Sequence, residues 1–102
     1  MDAARIATDI EEVVKATRRA YSQWTIGITN DHERRRAEHK SKGDDVRDWR
    51  SWQADNEDIA RSVESYFIDK KKMKGKISGG ESNSVFVYIF ETPISENRNL
   101  LG

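Results

Sequence analysis

A chain of 102 residues has the length of one domain and buries only part of its surface, which leaves room for a single small core. Apolar residues make up 35% and charged residues another 35%, a lean but folding-competent composition, while 18 basic against 18 acidic side chains exclude a whole-molecule field that steers towards polyanions. Zero cysteines exclude disulfides and thiolate metal sites.

The first residues, Met1-Asp2-Ala3-Ala4-Arg5, lack the basic-then-apolar pattern of a secretory leader, and no apolar run approaches membrane-spanning length. A cytoplasmic setting, of a host cell if the chain is viral, is the expectation. From Asp2 to about Tyr21, Ile6, Ile10, Val13, Val14, Thr17 and Tyr21 recur at helical spacing, which predicts an amphipathic helix with one buried stripe. Residues 23–29 are β-favouring and interrupted by Gly27, which predicts a short strand whose backbone something approaches closely.

Asp31 is a good N-cap and Gly43 stands where a C-terminal glycine belongs, so a helix is expected over His32 to Ser41. A further helical start follows at Asp44-Asp45, with Val46, Trp49 and Trp52 on one face. Ile59, Ala60, Val63, Phe67 and Ile68 mark a fourth helix from Asn56 to Lys72, whose closing lysines suit the negative end of the helix dipole. The stretch from Gly75 to Ser84 reads as a glycine- and serine-rich loop. Val85 to Phe90 is apolar on both faces, the pattern of a central strand, here about 85–91, and Pro93 ends it. The tail 95–102 is expected to be flexible. The fold class is therefore α+β, a sheet of two or three strands packed with about four helices in a single domain, 1–102.

Basic residues cluster twice, in Arg34-Arg35-Arg36 with Lys40 and Lys42, and in Lys70-Lys71-Lys72 with Lys74 and Lys76. The plain reading is two solvated basic faces, with Arg35 pairing to Glu38 or Asp31.

A sharper reading comes from Thr25-Ile26-Gly27, the turn Ile28-Thr29-Asn30-Asp31, and the helix string Glu33-Arg34-Arg35-Arg36-Ala37-Glu38-His39. This segment resembles the YIG half of a GIY-YIG nuclease domain, in which a strand ending Tyr-Ile-Gly leads through a turn into a helix bearing an arginine and, one turn later, a histidine. Thr25 stands where the family has tyrosine. The resemblance implies divalent-metal-assisted hydrolysis of a DNA phosphodiester, with magnesium or manganese as cofactor. It implies catalytic roles for Arg35, which matches phosphate oxygens in a fork, and for His39. Ala60-Arg61-Ser62-Val63-Glu64 resembles the family's helix with its metal-binding glutamate, which makes Glu64 the implied metal ligand.

Gly27, Asn30, Arg34, Arg36 and Lys40 are the implied phosphate or nucleic-acid contacts. The family's opening Gly-Ile-Tyr strand is replaced here by a helix, but Val87-Tyr88-Ile89-Phe90 resembles it in composition. Pairing of that strand beside Thr25 to Thr29 gives a permuted arrangement and makes Tyr88 the third catalytic candidate. The rival reading is a non-catalytic module that binds nucleic acid or an acidic protein, such as a small accessory protein of the phage type. Dimerisation through an exposed edge of the 85–90 strand is a further expectation.

Overall fold

The computed structural model describes residues 1–43, 46, 48–76 and 82–91. It contains helix α1 (Ala3–Thr17), a 3-10 turn (Tyr21–Gln23), strand β1 (Trp24–Thr29), helix α2 (His32–Ser41), strand β2 (Arg50–Gln53), helix α3 (Glu57–Asp69) and strand β3 (Phe86–Glu91). The strands form one antiparallel sheet in the order β1-β3-β2. None of these helices is long and apolar enough to cross a membrane.

β3 is the central strand, as its continuous apolar run predicts. Both of its edges are paired, to β1 and to β2, so this strand offers no edge for dimerisation, which corrects the expectation of a dimer made through residues 85–90. Register puts Trp24, Ile26 and Ile28 on the same face as Ile89, Val87 and Trp52. Ile6, Ile10 and Val14 of α1 and Ala60, Val63 and Phe67 of α3 join that face in one buried cluster, and burial of these side chains is what holds the fold. The other face carries Thr25, Gly27, Tyr88, Phe90, Phe86 and Ser51, and α2 lies over it.

Three elements differ from expectation, and the first is α3, which ends at Asp69 and not at Lys72, so that no basic residue stands in its last turn. α1 stops at Thr17 because Arg18 takes a left-handed conformation (φ 60°), and Thr17 turns its hydroxyl back to donate to the Val14 carbonyl at 2.7 Å. Tyr21 therefore sits on the 3-10 turn, where it packs at 6.1 Å from the Phe67 ring. The expected helix through Trp49 and Trp52 is replaced over 50–53 by β2; Asp44, Asp45 and Arg47, part of that expectation, lie outside the described residues, as do 77–81 of the loop and the 95–102 tail. Three-residue spacing places side chains together on a helix but on opposite faces of an extended chain. Trp52 accordingly packs against the core, while Trp49 stacks on Tyr88 at 4.6 Å on the other face.

α2 is an unusual element because it buries no residue completely. Its two ends are fastened by histidines. His32 stacks on Phe86 at 4.5 Å and its Nδ1 shares a 2.8 Å hydrogen bond with the Ser51 hydroxyl. His39 packs on Phe90 at 4.9 Å and its Nε2 shares a 3.0 Å hydrogen bond with the Tyr88 hydroxyl. With so little apolar burial, its cap matters: Asp31 accepts from the Arg34 N–H at 3.0 Å, and Asp31→Ala is expected to lower the unfolding free energy by about 1 kcal/mol, read as a drop in the urea midpoint at constant m-value.

Candidate active site

β1 presents Gly27 to the α2 side of the sheet, directly opposite Tyr88 on β3. The Tyr88 ring lies across this glycine. A β-carbon at position 27 would stand 2.5 Å from Tyr88 Cζ and 2.9 Å from Cε2, and would collide with the hydroxyl. The close approach predicted at Gly27 is therefore real, but the approaching group is a phenol from the neighbouring strand, so glycine is required here to lay that ring flat.

The floor of the site is completed from α3. Glu64 is 1% exposed, and one of its carboxylate oxygens is buried with no hydrogen-bond partner among the described residues. Desolvation pushes its pKa up from 4.5 to about 7, against a smaller lowering by the nearby Arg61 guanidinium. Arg61 is itself engaged with Glu57 at 2.6 Å, and that hydrogen bond, with a second from the Asn83 N–H, lowers the pKa of Glu57.

The third wall is the segment after α3. Lys74 pairs with the outer edge of β1, accepting from the Ile26 N–H and donating to the Trp24 carbonyl, both at 2.9 Å. Gly75 follows at φ +155°, where a β-carbon would press on the Ile26 carbonyl at 2.5 Å, so this edge closes only over glycine. Lys76 then reaches the site.

Between these walls lies a cleft of about 300 Å³ lined by Thr25 to Ile28, Arg35, His39, Lys42, Glu64, Gly75, Lys76 and Tyr88. Five of the residues singled out from sequence (Gly27, Arg35, His39, Glu64 and Tyr88) thus meet in one place, from four different elements. Arg35 is ion-paired to Glu38 at 3.2 Å, as its plain reading expects, yet its half-buried side chain also lines the cleft.

The other four do not line it. Asn30 accepts from Arg34 Nη2 at 3.1 Å and donates to the Ser82 carbonyl at 3.3 Å, so this pair ties the β1–α2 turn to the segment before β3. Arg36 and Lys40 flank a separate shallow depression on the outer side of α2, with Glu33 and Ala37. Conversely, Lys42 and Lys76 belong to the cleft although neither is singled out from sequence. Their signal was present as the far ends of the two basic clusters, which nothing in the sequence says will meet.

Among the described residues Glu64 is the carboxylate that lines the cleft. A buried carboxylate oxygen without a partner is costly unless a proton or cation satisfies it. Among the described residues no group of three or more His, Asp or Glu side chains gathers that could hold an ion. A cation here would therefore take one protein carboxylate and complete its shell with water and phosphate oxygens, a habit of magnesium. A larger depression of about 500 Å³ lies between α1 and β2, and its described lining carries Asp9, Glu12 and Asp48 beside Arg50, a charge set that disfavours phosphate on balance. No family model matches the chain, and neither a curated protein nor a solved structure shows significant similarity to it.

Proposed function

We propose that the protein is a GIY-YIG-like, metal-dependent nuclease that hydrolyses DNA phosphodiesters in the cleft between α2, α3 and β1. The observation that carries this reading is the hydrogen bond of 3.0 Å between His39 Nε2 and the Tyr88 hydroxyl, made beside Gly27 in the cleft that also contains Arg35 and Glu64. A phenol hydrogen-bonded to an imidazole has the geometry to pass a proton between two general acid–base groups. With His39 in the tautomer that accepts at Nε2, the Tyr88 hydroxyl donates to it and leaves an oxygen lone pair for a water proton.

The chemistry follows from those roles. As water attacks phosphorus, its proton passes to the Tyr88 oxygen while the Tyr88 proton passes to His39; the bond from phosphorus to the sugar oxygen breaks, the leaving oxygen takes a proton from solvent, and His39 returns its own to solvent. Arg35 forks onto the non-bridging oxygens and offsets the charge that develops there. Glu64 would hold the divalent ion, which supplies Lewis-acid stabilisation of the phosphate and the leaving oxygen when bound. Strand β3 beside β1 serves as the counterpart of the family's first strand in a permuted order, with Tyr88 as its tyrosine.

The test is cleavage of supercoiled and branched DNA with magnesium or manganese, wild type against Arg35→Ala. Metal-dependent cutting that falls by about 10²–10³-fold in the variant is the expected outcome. Salt-sensitive DNA binding with no cutting under any metal would sink the nuclease reading and favour the binding module, the reading that Thr25 in place of the family's tyrosine supports.

A further inference from the structure

Resting on the reading above, we infer that the cleft receives an unpaired DNA strand (a single-stranded segment, a flap or a frayed end) and that Lys42 and Lys76 hold its phosphates. The argument begins with depth. Tyr88 is 6% exposed and Glu64 1% exposed, so the reacting groups lie at the floor of a recess and not on a ridge. The recess holds about 300 Å³, the volume of roughly ten water molecules.

Paired DNA holds its phosphates on a stiff cylinder, so a duplex phosphate approaches Tyr88 only as far as the cleft walls admit the cylinder or at the cost of bending it. An unpaired strand bends into the recess without that penalty. Such strands are held by grooves whose positive charge tracks the backbone.

The charge of the cleft fits this demand. In a chain with 18 basic and 18 acidic side chains, the described residues that line the cleft include Arg35, Lys42 and Lys76 and, among acids, Glu64. Lys42 caps the C-terminal end of α2, and Lys76 follows the β1-edge pairing of Lys74, so the two ammonium groups come from different walls. Each is an exposed residue on a long stem, able to follow a phosphate while Arg35 stays in its half-buried position. The depression between α1 and β2, across the sheet, is lined among the described residues by Asp9, Glu12, Asp48 and Arg50, a charge balance opposite in sign to that of this cleft.

The experiment measures binding by fluorescence anisotropy at several salt concentrations without metal. It uses a labelled DNA single strand, the same sequence as a blunt duplex, and a duplex bearing a flap. The single strand and the flap are expected to bind at least tenfold more tightly than the blunt duplex. Lys42→Ala and Lys76→Ala are each expected to reduce the slope of log affinity against log salt by about 0.7, the value for one phosphate contact on a single strand. Lys15→Ala, on α1 across the sheet, leaves the slope unchanged. Equal affinity for the blunt duplex, unchanged slopes in both lysine variants, or no binding to any of the three would each overturn the inference. Preference for the unpaired strand with both lysine slopes reduced, but no cutting after manganese is added, supports this inference while refuting the nuclease reading.

Discussion

Removal of a single oxygen atom, in Tyr88→Phe, is expected to lower the rate of metal-dependent cleavage by about 10²–10⁴-fold, the range for loss of a general acid or base, with the fold intact. The ring remains stacked on Trp49 and beside Phe90, and loss of the hydrogen bond to His39 costs about 1 kcal/mol in stability. Gly27→Ala should mimic the catalytic defect by a different route. The new methyl group meets Tyr88 Cζ at 2.5 Å, so the ring must lift and carry its hydroxyl away from His39, with an overpacking cost of about 1–3 kcal/mol.

A double-mutant cycle separates this from general damage to β1. On a Tyr88→Ala background the clash partner is gone, and Gly27→Ala should become neutral or stabilising by about 0.5–1 kcal/mol, because alanine restricts the unfolded chain more than glycine does. Thermal or urea unfolding of the four proteins supplies the numbers. Equal destabilisation on both backgrounds would show that glycine serves the strand itself and not the phenol.

Much of the scaffold is legible in the sequence because its signals are local. Asp31 and Asn56 are both N-caps whose side chains accept from the third residue onward, Arg34 and Ile59, and each starts its helix where the capping rule places it. The run 85–90 is central because an edge strand seldom has both faces apolar. The segment through Trp49 and Trp52 fails for an equally definite reason: a three-residue spacing of aromatics fits a helical face until the chain is extended, and only pairing with β3, more than 30 residues later in the sequence, decides between them.

The site shows the same division. Gly27, Arg35 and His39 lie within one strand-turn-helix, so their offsets can be read locally. Glu64 and Tyr88 are brought to them by tertiary packing, through α3 and through β3, and family resemblance rather than periodicity is what singles them out. Lys42 and Lys76 are visible in the sequence only as cluster members, because a basic run does not show which of its residues the fold turns towards a cleft. Asn30 and Arg34 err in the other direction: their polar side chains satisfy each other and the Ser82 carbonyl, a local demand of the turn that looks from sequence like a contact for phosphate.

Glu64 gives the largest expected effect on stability and the clearest sign. Burial raises its pKa from 4.5 to about 7, so the fold prefers the protonated carboxyl. Below pH 4.5 the group is neutral in both folded and unfolded chains and adds no penalty. Between about 4.5 and 7 the unfolded chain ionises while the folded chain does not, and the metal-free protein loses stability as pH rises. Above about 7 the loss is complete, at about 3 kcal/mol from the shift alone. Glu64→Gln removes this term, so its stability should stay level across that window and exceed that of wild type at pH 8. Divalent metal reverses the comparison, because an ion that binds only the folded ionised form restores stability to wild type as the logarithm of its concentration above the dissociation constant and does nothing for the glutamine variant. Melting curves at pH 4.5, 6 and 8, with and without manganese, contain the whole test. A wild-type curve that matches Glu64→Gln at every pH would mean that water reaches the carboxylate, and a wild-type gain from manganese that the variant shares would remove Glu64 as the residue that holds the ion.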